Sequence, residues 1–124
     1  MIGVMKNQTV SNAALIEAIA VYLREELADG ENIGATLKFS YLEGGAVLID
    51  GKVKPCTVST DDLAADCTVT LSLDTHVAML CFLLDRAVAF RQGQMTIAGD
   101  IAVALRLAPL VSKPFHPPGE ETRP

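Results

Sequence analysis

The sequence lacks tryptophan altogether, and aromatic residues make up only 5% of its 124 positions. Half of the residues are nevertheless hydrophobic, so the interior must be built mainly from aliphatic side chains and methionine. Such side chains pack adaptably and leave room for a flexible guest molecule more readily than large rings do. A chain of this length is expected to form about one domain with a real core.

Clusters of basic residues are also missing. Ten lysines and arginines stand against fifteen aspartates and glutamates, which gives a formal net charge of −5. Without a run of cations, the chain is not expected to bind phosphate backbones or anionic membrane surfaces by charge. Nucleic acid is therefore excluded as a predicted partner.

Signals for disulfides, zinc and membrane spans are absent too. Cys56, Cys67 and Cys81 are odd in number and form no C-x-x-C pair, which favours buried, reduced thiols. No stretch reaches the ~18 consecutive apolar residues that a membrane-spanning helix needs. The N-terminal segment shows no secretory pattern. These features predict a cytoplasmic protein without stable membrane insertion.

Among the patterns that are present, helical spacing comes first along the chain. Ser11 is positioned to cap a helix that runs to about Ala28, with Gly30 as its C-terminal stop. Apolar residues recur on one side of this helix: Leu15, Ile19, Tyr22, Leu23 and Leu27. The helix is therefore expected to lie on an apolar surface.

Strand patterns follow at residues 35–42, 46–49, 52–59, 67–73 and 94–98. Asp50-Gly51 predicts a hairpin between the second and third strands, and Pro55, which has no amide hydrogen, predicts a sheet edge for the third. Residues 76–84 are apolar nearly all round and predict a buried helix, and 87–90 predict a turn. A last helix is predicted over 101–107, with Asp100 as its cap.

This order predicts an α+β fold. We expect a five-stranded mixed sheet with one face covered by helices, so that any cavity must lie between the two layers. The domain is expected to span residues 1–112. The proline-rich, polar tail at 113–124 carries little apolar surface and is predicted to be loosely held.

Catalytic and metal-binding patterns are weak. His76, beside Asp74, is conceivable as a general base, but no nucleophile stands at a suitable spacing, and a structural role is favoured. An enzyme could draw only on His76, Asp74 and Asp100. The acidic group of Asp61, Asp62 and Asp66 lacks the ligand order of a calcium loop and indicates a solvated turn. No catalytic residue, metal or cofactor is predicted.

Three short segments carry distinctive motifs: Ala65 to Ser72 reads ADCTVTLS, Ala89 to Ile97 reads AFRQGQMTI, and Gly99 to Leu107 reads GDIAVALRL. They resemble the sterol-binding domain family of sterol carrier protein type 2. Its corresponding patterns are A-D-C-T-[IV]-T-[ML]-S in a strand, A-F-x-x-G-K-[LM]-x-[IV], and G-[ND]-x-x-x-[AL]-x-[KR]-L in a helix. The resemblance covers about Ser11 to Leu110.

The resemblance implies a non-catalytic protein that binds and carries an apolar lipid in a hydrophobic tunnel between the sheet and the helices. A monomer or a homodimer is expected. The ligand classes are fatty acid, fatty acyl-CoA, phospholipid, sterol and isoprenoid. The expected tunnel lining, and hence the expected ligand-binding set, consists of Leu37, Phe39, Val69, Leu71, Leu80, Leu84, Phe90, Met95, Ile97, Ile101 and Leu105.

One segment departs from the family pattern. Phe82-Leu83 stand where the family has Gly-Lys, and Asp85-Arg86 stand where it has Asn-Pro. The added apolar bulk could line the tunnel, plug it or form a surface for a partner. An exposed patch around Phe82 to Leu84 would favour the alternative function: an accessory protein that presents a lipid intermediate to pathway enzymes, for example in ubiquinone biosynthesis.

Overall fold

Helices and strands form a single two-layer arrangement in the computed structural model, which describes residues 11–28 and 33–118. Within these residues lie five strands and four α-helices. The strands are β1 (Thr36–Tyr41), β2 (Ala46–Asp50), β3 (Thr57–Ser59), β4 (Cys67–Leu71) and β5 (Met95–Gly99). The helices are α1 (Asn12–Glu26), α2 (Leu73–Leu80), α3 (Arg86–Arg91) and α4 (Ile101–Leu107), and a 3₁₀ turn (Ala108–Leu110) follows α4.

The strands form one sheet in the order β3-β2-β1-β4-β5. β1 and β4 are parallel, and the other neighbours are antiparallel. The register places Phe39 beside Val47 on one side and Val69 on the other, so apolar side chains form continuous rows. The predicted α+β class and five-stranded mixed sheet are confirmed.

Helix α1 covers β2 and β3. Ser11 begins it by accepting a hydrogen bond from the amide of Ala14 at 3.0 Å, as the sequence predicts. Ile19 and Leu23 are completely buried beneath the helix. The Arg24 guanidinium donates to the carbonyl of Val58 at 2.7 Å, which ties the helix to the edge strand. The predicted stop at Gly30 lies outside the described residues.

Two strands are shorter than predicted. β3 begins at Thr57 and not at residue 52. Pro55 has no amide hydrogen to donate to the neighbouring strand, and the Gly51 amide donates to the carbonyl of Ala35. The edge position predicted for this strand is confirmed. β4 ends at Leu71 because the Ser72 side chain accepts a hydrogen bond from the Thr75 amide and begins α2.

The predicted helix over 76–84 is wrong at both ends. α2 starts at Leu73 and ends at Leu80, and Phe82 then takes a left-handed backbone conformation with φ of 64°. The amides of residues 83 and 84 both bond to the carbonyl of Ala78, which completes a helix terminus. Asp85 caps α3 through the amides of residues 87 and 88, so a short helix replaces the predicted turn.

The beginning of the C-terminal tail is attached to the domain and not loosely held. Phe115 is buried, with its ring edge-on to that of Tyr22 at 5.2 Å. Its amide donates to the carbonyl of Leu80 at 2.9 Å, and its carbonyl accepts from the half-buried Cys81 thiol at 3.2 Å. One Glu26 oxygen accepts from the amides of residues 112 and 113. The buried Phe115 ring therefore holds this segment on the domain despite its polar composition. Residues 119–124 lie outside the described part.

Candidate functional site

An apolar cavity of about 630 Å³ lies between the sheet and the helices that follow β4. Its inner wall comes from β1, β4 and β5, and its outer wall from α2, α3, α4 and the turn after α2. Nineteen of its 22 lining residues are apolar, and the others are His76, Asp85 and Arg86. The volume falls within the range usual for small-molecule sites.

The bend between β5 and α4 joins two walls of this cavity. Met95 and Ile97 alternate onto the inner face of β5, where Ile97 pairs with Val69 of β4. Gly99 has φ of 90°, and a Cβ atom there would lie 2.3 Å from the Asp66 carbonyl oxygen. Only glycine allows this close approach of two backbones. Asp100 then accepts from the Ala102 amide at 3.1 Å and begins α4.

Ten of the eleven side chains expected at the tunnel wall line this cavity: Leu37, Phe39, Val69, Leu80, Leu84, Phe90, Met95, Ile97, Ile101 and Leu105. The exception is Leu71. It is fully buried and pairs with Tyr41, which is also outside the lining. Leu71 therefore belongs to the solid core at the end of the sheet.

Sequence reasoning missed several lining residues. Leu23 of α1, Leu107 at the end of α4 and Val111 after the 3₁₀ turn also reach the cavity, although the sequence pattern alone does not place them at its wall. Met79, Phe82 and Leu83 were predicted to lie within a buried helix. The all-round apolar character of 76–84 was the available signal, because a helix that lines a cavity needs apolar residues on more than one side.

The cavity reaches the protein surface. Five large apolar side chains of its lining are exposed: Phe82, Leu83, Phe90, Ile101 and Leu105. Phe82 is 55% exposed and Leu83 is 81% exposed. Asp85 and Arg86, both exposed, place the cavity's charged groups at this opening. We call these five apolar residues the rim.

His76 is the only buried polar side chain of the lining. It is 1% exposed, and its ring stacks on that of Phe39 with centroids 4.2 Å apart. The hydroxyl of Tyr41, which lies behind the ring and outside the lining, is 2.8 Å from Nδ1. Burial lowers the pKa of His76 to about 3 and raises the pKa of Tyr41, so both groups are neutral near pH 7.

The groups an enzyme could use do not converge. Of His76, Asp74 and Asp100, only His76 lines the cavity, and the two aspartates are exposed residues at helix starts. In residues 11–28 and 33–118 there is no cluster of three or more side chains that could hold a metal ion. The arrangement can enclose an apolar molecule, with one neutral polar group deep inside and charges only at the opening.

The acidic residues before β4 have separate partners. Asp62 forms an ion pair with Lys38 at 2.8 Å. Asp66 accepts from the amide and the hydroxyl of Thr36, and these bonds lower the pKa of its carboxyl group. Each carboxylate thus stabilises the loop before β4 through its own partner, and the two do not form a common site.

The model of the SCP-2 sterol transfer family matches residues 11–112. The chain belongs to this family. A search of curated protein sequences finds no match. In the described residues, no helix is both long enough and apolar enough to cross a bilayer.

Solved structures share the fold at low sequence identity. Palmitated SCP2L2 from Aedes aegypti is 23% identical, with a TM-score of 0.61, over 86% of this chain and 99% of that one. The ubiquinone synthesis protein UbiJ-SCP2 is 18% identical, with a TM-score of 0.60, over 83% and 93%. The sec-alkylsulfatase Pisa1 from Pseudomonas sp. is 20% identical, with a TM-score of 0.62, over 84% of this chain but only 17% of the enzyme. The fold thus occurs both as nearly a whole chain and as a small part of a large enzyme.

Proposed function

We propose that this protein binds an apolar lipid in the cavity and carries it without chemical change. The observation that supports this most directly is the cavity itself: about 630 Å³, almost wholly apolar, and open to the surface through the rim. Membership of the SCP-2 sterol transfer family and the palmitated Aedes relative agree with it.

Apolar burial is a sufficient source of affinity. Each methylene group removed from water contributes about 0.8 kcal/mol. A chain of roughly fifteen methylenes therefore gains about 12 kcal/mol, and an association cost of about 4 kcal/mol leaves about 8 kcal/mol, which corresponds to binding near the micromolar range. No charged anchor inside the cavity is required. The ligand-binding role proposed for the ten lining residues rests on this burial.

Native mass spectrometry of gently purified protein tests the proposal. We expect an added mass that corresponds to a lipid, and uptake of a fluorescent fatty acid by protein from which that lipid has been removed. Protein that is consistently empty and also takes up neither fatty-acid nor sterol probes would contradict lipid carriage.

A matched pair of variants on α4 locates the binding. Ala104 lines the cavity, whereas Ala102 on the same helix is exposed and outside the lining. Ala104→Phe fills part of the cavity and is expected to weaken probe uptake at least about tenfold, the factor that corresponds to 1.4 kcal/mol. Ala102→Phe adds the same ring at the surface and is expected to leave uptake unchanged.

A second proposed function is presentation of a bound lipid to a partner enzyme. The exposed rim favours it, since Phe82 and Leu83 are large apolar residues that lie beside the opening and face solvent. The resemblance to the ubiquinone synthesis protein agrees with this function. The two functions are compatible, because the same opening would release the lipid.

Replacement of Leu83 tests the partner function. Leu83→Ser should abolish the capture of enzymes of a single lipid pathway from a lysate. Leu63→Ser is the control, because Leu63 is also an exposed leucine but does not line the cavity. Capture that both variants lose equally, or that neither loses, would contradict a partner site at the rim.

A further inference from the structure

His76 presents its second ring nitrogen to the cavity. No buried side-chain nitrogen or oxygen of the described residues lacks a hydrogen-bond partner. Nδ1 is 2.8 Å from the Tyr41 hydroxyl, while Nε2 has no such partner within the described part. Nε2 therefore borders open space, and the space beside His76 is the cavity.

The pairing with Tyr41 determines which nitrogen carries the proton. The Tyr41 side chain is buried, and Nδ1 of His76 is the acceptor within reach of its hydroxyl hydrogen among the described residues. If Nδ1 carried the ring proton, that hydroxyl hydrogen would be left without an acceptor, at the cost of burying an unsatisfied group. Tyr41 therefore donates to Nδ1, and the neutral ring carries its proton on Nε2.

The cavity thus contains one fixed N–H donor in an apolar wall. Phe39 holds the ring by stacking on its face, and Tyr41 holds it from behind. The other polar lining residues, Asp85 and Arg86, lie at the exposed opening. A charged headgroup placed beside His76 would lose its hydration without a cation to compensate it, which is costly. A neutral acceptor oxygen would lose much less and would satisfy the donor.

We propose that Nε2–H of His76 is a ligand anchor that selects lipids bearing an uncharged carbonyl oxygen, such as an ester, amide or ketone, within the apolar chain. The proposal rests on lipid binding in the cavity and names the class of lipid. His76 contacts the ligand, and Tyr41 is a positioning residue that fixes the ring proton. A free carboxylate remains at the opening, away from His76.

Three ligands of similar chain length test the anchor: methyl laurate, dodecane and laurate, each competing with a fluorescent probe near pH 7.5. We expect methyl laurate to bind about three- to tenfold more tightly than dodecane, the factor of one net hydrogen bond. His76→Phe keeps an aromatic ring for Phe39 but has no donor. It should reduce the preference for the ester over the alkane to less than about twofold and should change the affinities for laurate and dodecane by the same factor.

A double variant controls for a folding defect, which His76→Phe could cause because it leaves the buried Tyr41 hydroxyl without its acceptor. Tyr41→Phe/His76→Phe removes both polar groups and should bind methyl laurate and dodecane with equal affinity. Nitrogen-15 NMR of the imidazole provides a readout independent of affinity. Nε2 should be protonated in the free protein, and its proton signal should shift with methyl laurate but not with dodecane.

The outcomes separate the two proposals. Wild-type protein that binds none of the three ligands overturns both lipid carriage and the anchor. Equal binding of ester and alkane, an ester preference that survives in His76→Phe, or a proton on Nδ1 overturns the anchor alone. A greater loss of laurate binding than of dodecane binding in His76→Phe would identify a carboxylate as the selected group and would also overturn the proposal.

Discussion

Helix α1 covers its part of the sheet closely, whereas α3 and α4 leave part of the same sheet uncovered. α1 has 15 residues and lies over β2 and β3, where Ile19, Val47 and Ile49 are completely buried. We call this the closed half. α3 has six residues and α4 seven, and beside them large apolar side chains of the rim remain exposed. We call this the open half.

Helix length accounts for the difference. A helix of 15 residues is about 22 Å long, which exceeds the width of a few neighbouring strands, whereas a helix of seven residues reaches only about 10 Å. Two short helices joined by turns cannot exclude water from β4 and β5 over their full length. The lengths of the helices therefore decide which part of the sheet is closely covered and which part borders open space.

The largest expected effect is a loss of stability in the closed half that the open half does not show. Ile19→Ala in the closed half removes a fully buried side chain and should lower the free energy of unfolding by about 2–5 kcal/mol. Leu105→Ala in the open half removes an exposed rim residue and should change it by less than about 0.5 kcal/mol while weakening probe uptake. Urea unfolding and fluorescence titration measure the two quantities. Equal losses of stability would contradict the division into halves.

The bend that closes one end of the open half is the next test. Gly99→Ala should lower the free energy of unfolding by roughly 2–4 kcal/mol, because the new Cβ meets the Asp66 carbonyl and the backbone is left-handed. Gly93→Ala is the matched control, since φ is 75° there but no atom lies within 4 Å of the added Cβ. It should lose only about 1–2 kcal/mol, the cost of the left-handed conformation alone. Identical losses would refute a close contact at Gly99.

His76 lies where the two halves meet and makes stability depend on pH. Its pKa of about 3 in the folded protein lies below the ordinary value of 6.5, so below pH 6.5 the unfolded chain binds a proton that the folded chain does not. The free energy of unfolding should therefore fall by about 1.4 kcal/mol for each pH unit below 6.5, until pH 3 is approached. Urea unfolding across a pH series measures this slope.

Tyr41→Phe/His76→Phe provides the control and should abolish that slope between about pH 5 and 6.5. Asp66 does not interfere there. Its pKa is lowered from 3.8 by bonds from Thr36, so its contribution to stability is complete above 3.8 and is lost only as the pH falls further. A slope that persists in the double variant would show that His76 is not the group responsible.

The smallest expected effect concerns the rim. Phe82 holds a left-handed backbone with φ of 64° while its ring is largely exposed, so its conformation costs stability and its ring contributes little packing. Phe82→Gly should therefore raise the free energy of unfolding by about 1 kcal/mol. The same change should weaken capture of a partner or release of lipid, measured by pull-down and by transfer between vesicles. A loss of stability would mean that the ring packs more tightly than its exposure indicates.

Local patterns predicted most of the fold. Alternation of apolar and polar residues in β1 and β4, the caps at Ser11 and Asp100, and the edge position marked by Pro55 follow from interactions within a few residues. Alternation in β1, β4 and β5 located five residues of the cavity wall, because side chains on one face of a sheet must meet whatever covers that face: Leu37, Phe39, Val69, Met95 and Ile97. The end of α2 was missed because Phe82 occupies a backbone conformation that usually requires glycine.

The fold class, the apolar interior and the family follow from local patterns, since periodicity, composition and short motifs are properties of neighbouring residues. The tertiary structure, in contrast, sets where space remains inside. It buried Phe115 in a polar tail, enclosed Leu71 in the solid core, and placed His76 between Tyr41 and the cavity. Each of these features depends on residues far apart in the chain, because a cavity forms where elements that are distant in sequence enclose a space without contacting one another.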